Sequence, residues 1–319
     1  MTLLPLEGFL TLITAAHFTG TAYRTVRYAE FVATLWLLSP YWGRRDLLLL
    51  RAHLKVMTIV VISVALGLIV APGRAMTGGR LGGAIWPIPA TQVAHYCAVT
   101  LAIVIIMWFC GLRGGRSTLL YIVPVTVVLL LTHTRTALLG GVAGILVGGL
   151  SLAYANHRVR QAFITTAAIG AIGAFSASSI ITSWLTRGES GGQLTNLTGR
   201  TNFWAALTNA PRNKFEEIFG FGMSNGTFNG NPVDSNWMLS YQDQGIWGIT
   251  VCAMLLLVLI VTSLLENRTF NRAMALTLTV YCLIASFTEV GFTNPSPYML
   301  DITVAASLLV PFNSGPAVA

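Results

Sequence analysis

The stretch NPVDSNWMLSYQDQGIWGITVCAMLLLVLIV, residues 231–261, changes from a polar segment to a strongly apolar one within a few residues. Its first half carries Asp234 and Asp243, and no further charged residue follows before Glu266. An apolar run of about 20 residues is long enough to cross a bilayer as a helix. The stretch therefore predicts a membrane helix with two carboxylates near its entrance.

The composition of the whole chain agrees with a protein that lies in a membrane. Of its 319 residues, 54% are hydrophobic and only 9% are charged, whereas a soluble domain has about 25% charged residues. The net charge of +8 comes from arginines scattered between apolar runs, which argues against a nucleic-acid partner. All four cysteines lie in apolar runs without CxxC spacing, which indicates packing rather than a disulfide or a metal site: Cys97, Cys110, Cys252 and Cys282.

Apolar segments predict an all-α, polytopic helical bundle that forms a single membrane domain over residues 1–319. About ten segments are long enough to cross the bilayer alone or with the help of partner helices. The first, second and last of them are short for a membrane span. The ten segments are 3–19, 28–42, 54–72, 90–111, 117–132, 137–155, 161–183, 245–265, 273–290 and 299–312.

The distribution of Lys and Arg in the short loops predicts the orientation of the bundle. With the N-terminus inside, ten basic residues face the cytoplasm: Arg44, Arg45, Arg51, Lys55, Arg113, Arg116, Arg158, Arg160, Arg268 and Arg272. Five lie in or near the short outer loops: Arg24, Arg27, Arg74, Arg80 and Arg135. Both termini are then cytoplasmic, and the long loop 184–244 is extracytoplasmic.

The long loop is the only segment outside the predicted spans that is large enough for structure of its own. Residues 201–217 carry apolar residues before Pro211 and predict a short amphipathic helix at the outer surface. Residues 220–232, GFGMSNGTFNGNP, are rich in turn formers.

Arg135 and Arg80 are notable because the positive-inside rule disfavours arginine at the outer face. Arg135 stands between two apolar runs, where an arginine costs roughly 2.5–3.5 kcal/mol and usually faces a cavity and an anion. Its alternative roles are to reach the outer headgroups or to pair with Glu289 or Asp301. Arg80 lies among glycines that allow a ligand to approach the backbone; alternatively, it is a solvated loop residue.

Two further arginines lie in the predicted outer loop. Arg200 directly precedes the predicted surface helix, and Arg187 is the less specific of the two. Several guanidinium groups that converge on an outer cavity suit a diphosphate, since each can bind two phosphate oxygens at once. Because soluble nucleotides are cytoplasmic, a lipid-linked diphosphate in the outer leaflet fits better.

Five sequence elements, in this order, resemble those of the O-antigen ligase and O-antigen polymerase superfamily. GRLGGAIWPIPATQVAHY (79–96) resembles the Arg-x-x-Gly stretch ahead of an upstream helix, and THTRTALLGGVAGILVG (132–148) resembles the Ser-Arg-Thr-Ala step. GRTNFWAAL (199–207) is similar to the opening of the large outer loop, and GFGMSNG (220–226) to the turn that follows. The last element resembles the one that precedes a late membrane helix in the superfamily. It consists of Asp234-Ser235, nine further residues, Gly245, two further residues and Gly248. The resemblance covers roughly residues 75–290.

This resemblance implies a GT-C-like glycosyltransferase in the bacterial cytoplasmic membrane with its active site facing outside. Such enzymes move a glycan from a polyprenyl-diphosphate carrier to an acceptor hydroxyl on a glycan or glycolipid, and need neither a metal nor another cofactor. Arg135, Arg200 and Arg80 would bind the diphosphate, with Arg187 a secondary candidate. The five histidines are dispersed along the sequence.

The chain departs from the superfamily at the proposed base. The ligases have a histidine where this chain has Asp234, and a buried carboxylate can also accept a proton from a sugar hydroxyl. Alternatively, Asp234 caps the following helix, with Ser235 beside it. His133 and Asp243 are the other candidate bases. The missing histidine favours a polysaccharide polymerase over a ligase.

Two other functions fit the same arginines less well. A transporter or flippase of lipid-linked glycans would line its path with them, but inverted repeats with broken helices are expected in such a protein and the sequence displays no such repeats. A non-catalytic scaffold of an envelope-assembly complex would leave the outer arginines unexplained.

Overall fold

The computed structural model describes residues 8–9, 11–13, 18–155, 157–176, 200–223 and 226–312. These residues are mostly helical, with short 3-10 turns at Thr11–Ile13 and Ser39–Tyr41 and a helical turn at Pro72–Ala75. The longer helices, in chain order, are α1 (Phe18–Leu37), α2 (Leu48–Val70), α3 (Ala90–Phe109), α4 (Gly115–Leu131), α5 (Arg135–Ala155), α6 (His157–Ser176), α7 (Arg200–Thr208), α8 (Lys214–Phe219), α9 (Asn236–Leu265), α10 (Thr269–Ala285) and α11 (Pro297–Leu309).

Two small antiparallel hairpins interrupt the helices. Strands β1 (Met76–Thr77) and β2 (Arg80–Leu81) pair before α3, and β3 (Thr227–Phe228) and β4 (Asn231–Pro232) pair before α9. Both turn residues of each hairpin have positive φ, namely Gly78 and Gly79 in the first and Asn229 and Gly230 in the second. Two-residue turns of this kind match the twist of the paired strands.

The length and apolar composition of several helices support the prediction of a helical membrane protein. Within the described residues, α2, α3, α5 and α9 are long and apolar enough to cross a membrane. Three shorter apolar helices, α4, α10 and α11, accompany them. The total of about ten spans and the GT-C-like arrangement stay predictions.

Several predicted boundaries need correction. The segment 28–42 is replaced by α1, which begins ten residues earlier at Phe18 and ends at Leu37. Pro40 has no backbone N–H to donate, so the α-helix does not continue through it. Helix α2 begins at Leu48 rather than at 54 and so includes two basic residues in its first turns. Segment 161–183 overlaps α6, which ends at Ser176. Most of segment 3–19 and the end of 161–183 lie outside the described residues.

The chain divides into two compact units. The first unit consists of Met1–Ser39, Ser178–Val258 and Ser286–Leu300. The second unit consists of Pro40–Ala177, Leu259–Ala285 and Asp301–Ala319. The apolar segments of the sequence alone predict one domain, whereas the structure places one boundary between units within α9 and another within α11.

A stripe of glycines packs the second unit. Gly140, Gly144 and Gly148 repeat every four residues and therefore lie on one face of α5, which packs against α10. A Cβ atom on Gly144 would come within 2.6 Å of the carbonyl oxygen of Thr277 on α10. Small residues at this spacing let two helix backbones approach closely in a membrane.

A buried polar cluster also lies in the second unit. The Nε2 atom of His53 on α2 is 2.7 Å from Oδ1 of Asp301, and Nε2 of His95 on α3 is 3.2 Å from Oδ2. The Nδ1 atom of His95 lies 3.1 Å from the hydroxyl of Tyr281. Asp301 is one of the two alternative partners predicted for Arg135. Within the described residues, both of its carboxylate oxygens instead contact histidines.

The first unit has an apolar cluster next to Asp234. Leu207 of α7, Val233 and Leu239 of α9 are buried together, and Phe203 and Phe228 pack against them. The predicted helix over 201–217 is two helices, because α7 ends before Pro211 and α8 starts afresh with an N-cap at Asn213. The side chain of Asn213 accepts from the amide of Glu216, and Glu216 accepts from that of Asn213.

Candidate functional site

The start of α9 is held in place by a buried amide. Oδ1 of Asn236 accepts hydrogen bonds from the backbone amides of Gly291 and Phe292, at 3.2 and 2.8 Å. The hydroxyl of Tyr28 on α1 donates to the carbonyl of Phe292 at 2.8 Å. Three separate segments of the first unit therefore meet at the residues that follow Asp234.

Helix α9 is broken at Gly245, where φ is +62° and ψ is −155°. A break in a helix releases backbone groups that need other partners. The freed carbonyls of Gln242 and Asp243 accept from the amides of Phe221 and Gly222, both at 3.0 Å. The GFG turn and the Gly-x-x-Gly element of the sequence are thus two halves of one structure.

Arg212 fastens the loop between α7 and α8 to α9. Its Nη1 donates to the carbonyl of Tyr241 at 3.0 Å, and its guanidinium lies over the rings of Phe221 and Tyr241. Burial is the main influence on this group and lowers the pKa of Arg212, while Tyr241 and Glu216 oppose that change. No local motif singles out Arg212, since its aromatic partners Phe221 and Tyr241 lie in other segments.

Arg200 and Asp234 meet at the surface of the first unit. Nη2 of Arg200, the first residue of α7, lies 3.5 Å from Oδ2 of Asp234. The side chain of Asp234 is 50% exposed and that of Arg200 is 33% exposed. Among the described residues this is the only polar partner of the Asp234 side chain, so the capping role expected as the alternative is not observed.

A groove of about 320 Å³ lies in the same unit, is open to solvent and has Val233, the residue before Asp234, in its wall. Two arginines of α1, Arg24 and Arg27, line it, and Val233 connects it to Asp234. The other lining residues are Gly226, Leu239, Val290, Asn294 and Pro295. An extended anion with a polar head could contact both arginines in this groove.

Arg24 and Arg27 were missed as site residues by the motifs. They belong to the outer arginines that the positive-inside rule disfavours, and they stand three residues apart in a segment that is helical. The predicted span 28–42 placed them in a loop, which hid the fact that one helix presents both. Helical spacing was the signal that could have found them.

The secondary candidates Ser235 and Asp243 are buried in the first unit, at 2% and 3% exposure. The carbonyl of Ser235 accepts from the amide of Leu239 in the first turn of α9. Asp243 stands just before the break at Gly245, and its backbone carbonyl is occupied by Gly222. Their burial makes them less accessible than Asp234 to an acceptor from solvent.

Arg80, His133 and Arg135 belong to the second unit. Arg80 donates from Nε to the carbonyl of Thr132 at 3.1 Å and from Nη2 to Oγ1 of Thr134 at 3.0 Å. Arg80 is therefore not a solvated loop residue, which was its alternative role, because these hydrogen bonds attach it to the link between α4 and α5. His133, with φ +51°, lies in that link. Arg135 opens α5.

Arg187 lies outside the described residues. Within the part of the chain that the structure describes, no set of three His, Cys, Asp or Glu side chains is arranged to bind a metal ion. The side chains of His53 and His95 each contact Asp301 directly.

Comparisons with protein-family models and with curated proteins find no match for this sequence. By its fold, the chain is a helical membrane protein, and its first unit holds an arginine–carboxylate pair and an open groove.

Proposed function

We propose that the chain is a membrane glycosyltransferase that moves a glycan from a polyprenyl-diphosphate carrier to an acceptor hydroxyl at the outer face of the cytoplasmic membrane. The observation that carries this proposal is the Arg200–Asp234 pair beside the groove lined by Arg24 and Arg27. Asp234 is a carboxylate that can act as the base, and the arginines are cations that suit an anionic leaving group.

The reaction needs one bond to form and one to break. The acceptor oxygen attacks the anomeric carbon while its proton passes to Oδ2 of Asp234. The bond between that carbon and the phosphate oxygen breaks, and the diphosphate leaves with the electron pair. Attack on the face opposite the leaving group inverts the anomeric configuration.

Arg200 has two tasks in this scheme. Before the donor arrives it pairs with Asp234. A diphosphate offers its fork more charge and more oxygens than one carboxylate does, so the donor draws Arg200 away and leaves Asp234 open to the acceptor. Arg24 and Arg27, which line the groove, add positive charge for the diphosphate.

The assignment to a polymerase is favoured over a ligase because Asp234 replaces the ligase histidine. Arg80 and Arg135 remain proposed donor contacts from the resemblance alone, and the hydrogen bonds of Arg80 to the α4–α5 link indicate a supporting role.

The direct test is transfer by purified protein in nanodiscs, with a polyprenyl-diphosphate oligosaccharide as donor and the same lipid-linked unit as acceptor. Product longer than the donor glycan, with release of polyprenyl diphosphate, supports a polymerase. Donor that remains intact with every acceptor offered, while the protein is folded, contradicts the proposal.

A second candidate, a proton-coupled transporter of lipid-linked glycans, is favoured by the buried cluster of His53, His95 and Asp301. Titratable groups inside membrane helices often form proton relays. Asp301→Asn separates the two functions: it should abolish uptake driven by a proton gradient in a transporter, but leave glycan transfer in a transferase within a few-fold of wild type. A thermal unfolding scan would show whether the variant is folded.

A further inference from the structure

A second cavity, of about 550 Å³, lies at one end of the second unit. Arg51 and Lys55 of α2 line it together with Arg113 from the loop between α3 and α4. It is open to solvent, and no carboxylate is among its lining residues. The cavity therefore has a strong positive charge with no acidic side chain to neutralise it.

Arg113 is arranged to bind an anion. Its guanidinium lies 4.0 Å from the centre of the Tyr121 ring, which occupies the face of the group and leaves its N–H edge available. The buried Nε has no hydrogen-bond partner within the part of the chain that the structure describes. The hydroxyl of Ser117, another lining residue, adds a further polar group.

The cavity continues into an apolar surface. Exposed apolar side chains follow α2 at helical spacing, at Ile59, Ile62, Leu66 and Ile69, and follow α4 at Leu120, Val123, Val127 and Leu130. Helix α3 packs against both α2 and α4 and is largely buried. An acyl chain can lie along these outer surfaces while its headgroup is at the cavity.

The cations lie at the end of the second unit where α2 and α4 begin and α3 ends. Arg80 contacts Thr132, just after the opposite end of α4. Since α4 has 17 residues and rises 1.5 Å per residue, its two ends are about 25 Å apart. The positive-inside rule assigns the Arg113 end to the cytoplasm, where the leaflet is rich in anionic lipid.

We propose that Arg51, Lys55 and Arg113 form a binding site for the phosphate headgroup of an anionic glycerophospholipid in the cytoplasmic leaflet. The site is distinct from the Asp234 groove and does not depend on glycan transfer. It retains a structural lipid at the base of the second unit.

Native mass spectrometry of delipidated protein in detergent, titrated with dioleoyl-phosphatidylglycerol or dioleoyl-phosphatidylcholine, tests the site. We expect phosphatidylglycerol to bind on the order of 10–100-fold more tightly, because each basic side chain near a membrane surface contributes to attraction. The variant Arg51→Gln/Lys55→Gln/Arg113→Gln should lose that preference. The control Arg45→Gln/Arg116→Gln/Arg160→Gln removes the same charge from exposed positions that do not line the cavity and should keep it.

Equal binding of the two lipids by wild type would overturn the proposal, as would an equal loss of preference in the control. Inorganic phosphate and glycerophosphoglycerol distinguish the source of the anion. Weak competition by both at millimolar concentration supports a lipid site, whereas full displacement of the lipid by phosphate alone points to a soluble anion and contradicts it. If the triple variant fails to fold, Arg113→Gln alone should still reduce the preference about tenfold, and an unchanged preference in it counts against the site.

Discussion

Nη2 of Arg200 lies 3.5 Å from Oδ2 of Asp234, with both side chains partly open to solvent. An exposed ion pair of this kind contributes only about 0–1 kcal/mol to stability. Its importance to the proposed function lies elsewhere: one residue would bind the leaving group, and the other would accept the proton. The pair joins Arg200, the first residue of α7, to Asp234, which lies two residues before the start of α9.

Arg200→Lys should weaken donor binding about tenfold or more, because lysine keeps the charge but loses the fork that grips two phosphate oxygens. The apparent Tm should change little, since the pair is exposed. Donor affinity is measured by equilibrium binding of a fluorescent polyprenyl-diphosphate glycan. Lys214→Gln, an exposed cation of the first unit outside the groove, is the control. Unaltered donor affinity in Arg200→Lys would mark the pair as a surface salt bridge alone.

Arg24→Gln/Arg27→Gln tests whether the α1 arginines contact the donor. Hydrogen bonds to charged groups contribute about 1.5–3 kcal/mol each, so loss of both should raise the donor Kd on the order of 100-fold. Equal donor affinity in the double variant and wild type would show that the groove serves another ligand or none.

Gly245→Ala should destabilise the first unit. The residue has φ +62°, and a Cβ there would stand 2.5 Å from the backbone carbonyl carbon of Ile218. Backbone cannot move away as a flexible side chain can, so we expect a loss of about 2 kcal/mol or more, measured as a fall in apparent Tm. Gly170→Ala, at a helical glycine with open space around it, should stay within about 1 kcal/mol of wild type. Similar Tm values for both variants would contradict the requirement for glycine at the break of α9.

The predicted orientation can be tested at Lys214, an exposed residue of α8. Lys214→Cys, in a Cys110→Ser background that removes the one cysteine that is not fully buried, should react with a membrane-impermeant maleimide added to intact cells. Arg116→Cys in the same background should react only after the membrane is opened. The reverse pattern would invert the topology and remove the proposed site from the outer face.

The sequence predicts the class of fold well because hydropathy acts over whole segments. It predicts the start of α2 six residues too late, since Arg51 and Lys55 reduce local hydropathy although both lie within the helix. It also misplaces α1, whose arginines and buried threonines Thr21 and Thr25 make it less apolar than a span.

The candidate site is predictable only in part. Asp234 and Arg200 each belong to a local motif, so the sequence identifies both as candidates without information on their contact. The contacts of His53 and His95 with Asp301 join residues up to 248 positions apart, and no local pattern reports such a pairing. The break at Gly245 cannot be predicted from local sequence for the same reason, because the carbonyls that it frees accept hydrogen bonds from a turn more than 20 residues earlier.

The central claim is that Asp234 accepts the proton of the acceptor hydroxyl, and its most direct measurement is the transfer rate of Asp234→Asn on saturating lipid-linked donor. Asparagine keeps the size of the side chain but cannot accept a proton at neutral pH. A positioned base contributes about 10²–10⁴-fold, so the rate should fall by that factor while donor binding is retained. Asp234→His should recover part of the activity, because an imidazole with a pKa near 6.5 can serve as base. Asp46→Asn, at an exposed carboxylate of the second unit, should leave the rate unchanged. Undiminished turnover by folded Asp234→Asn would contradict the assignment of Asp234 as the base.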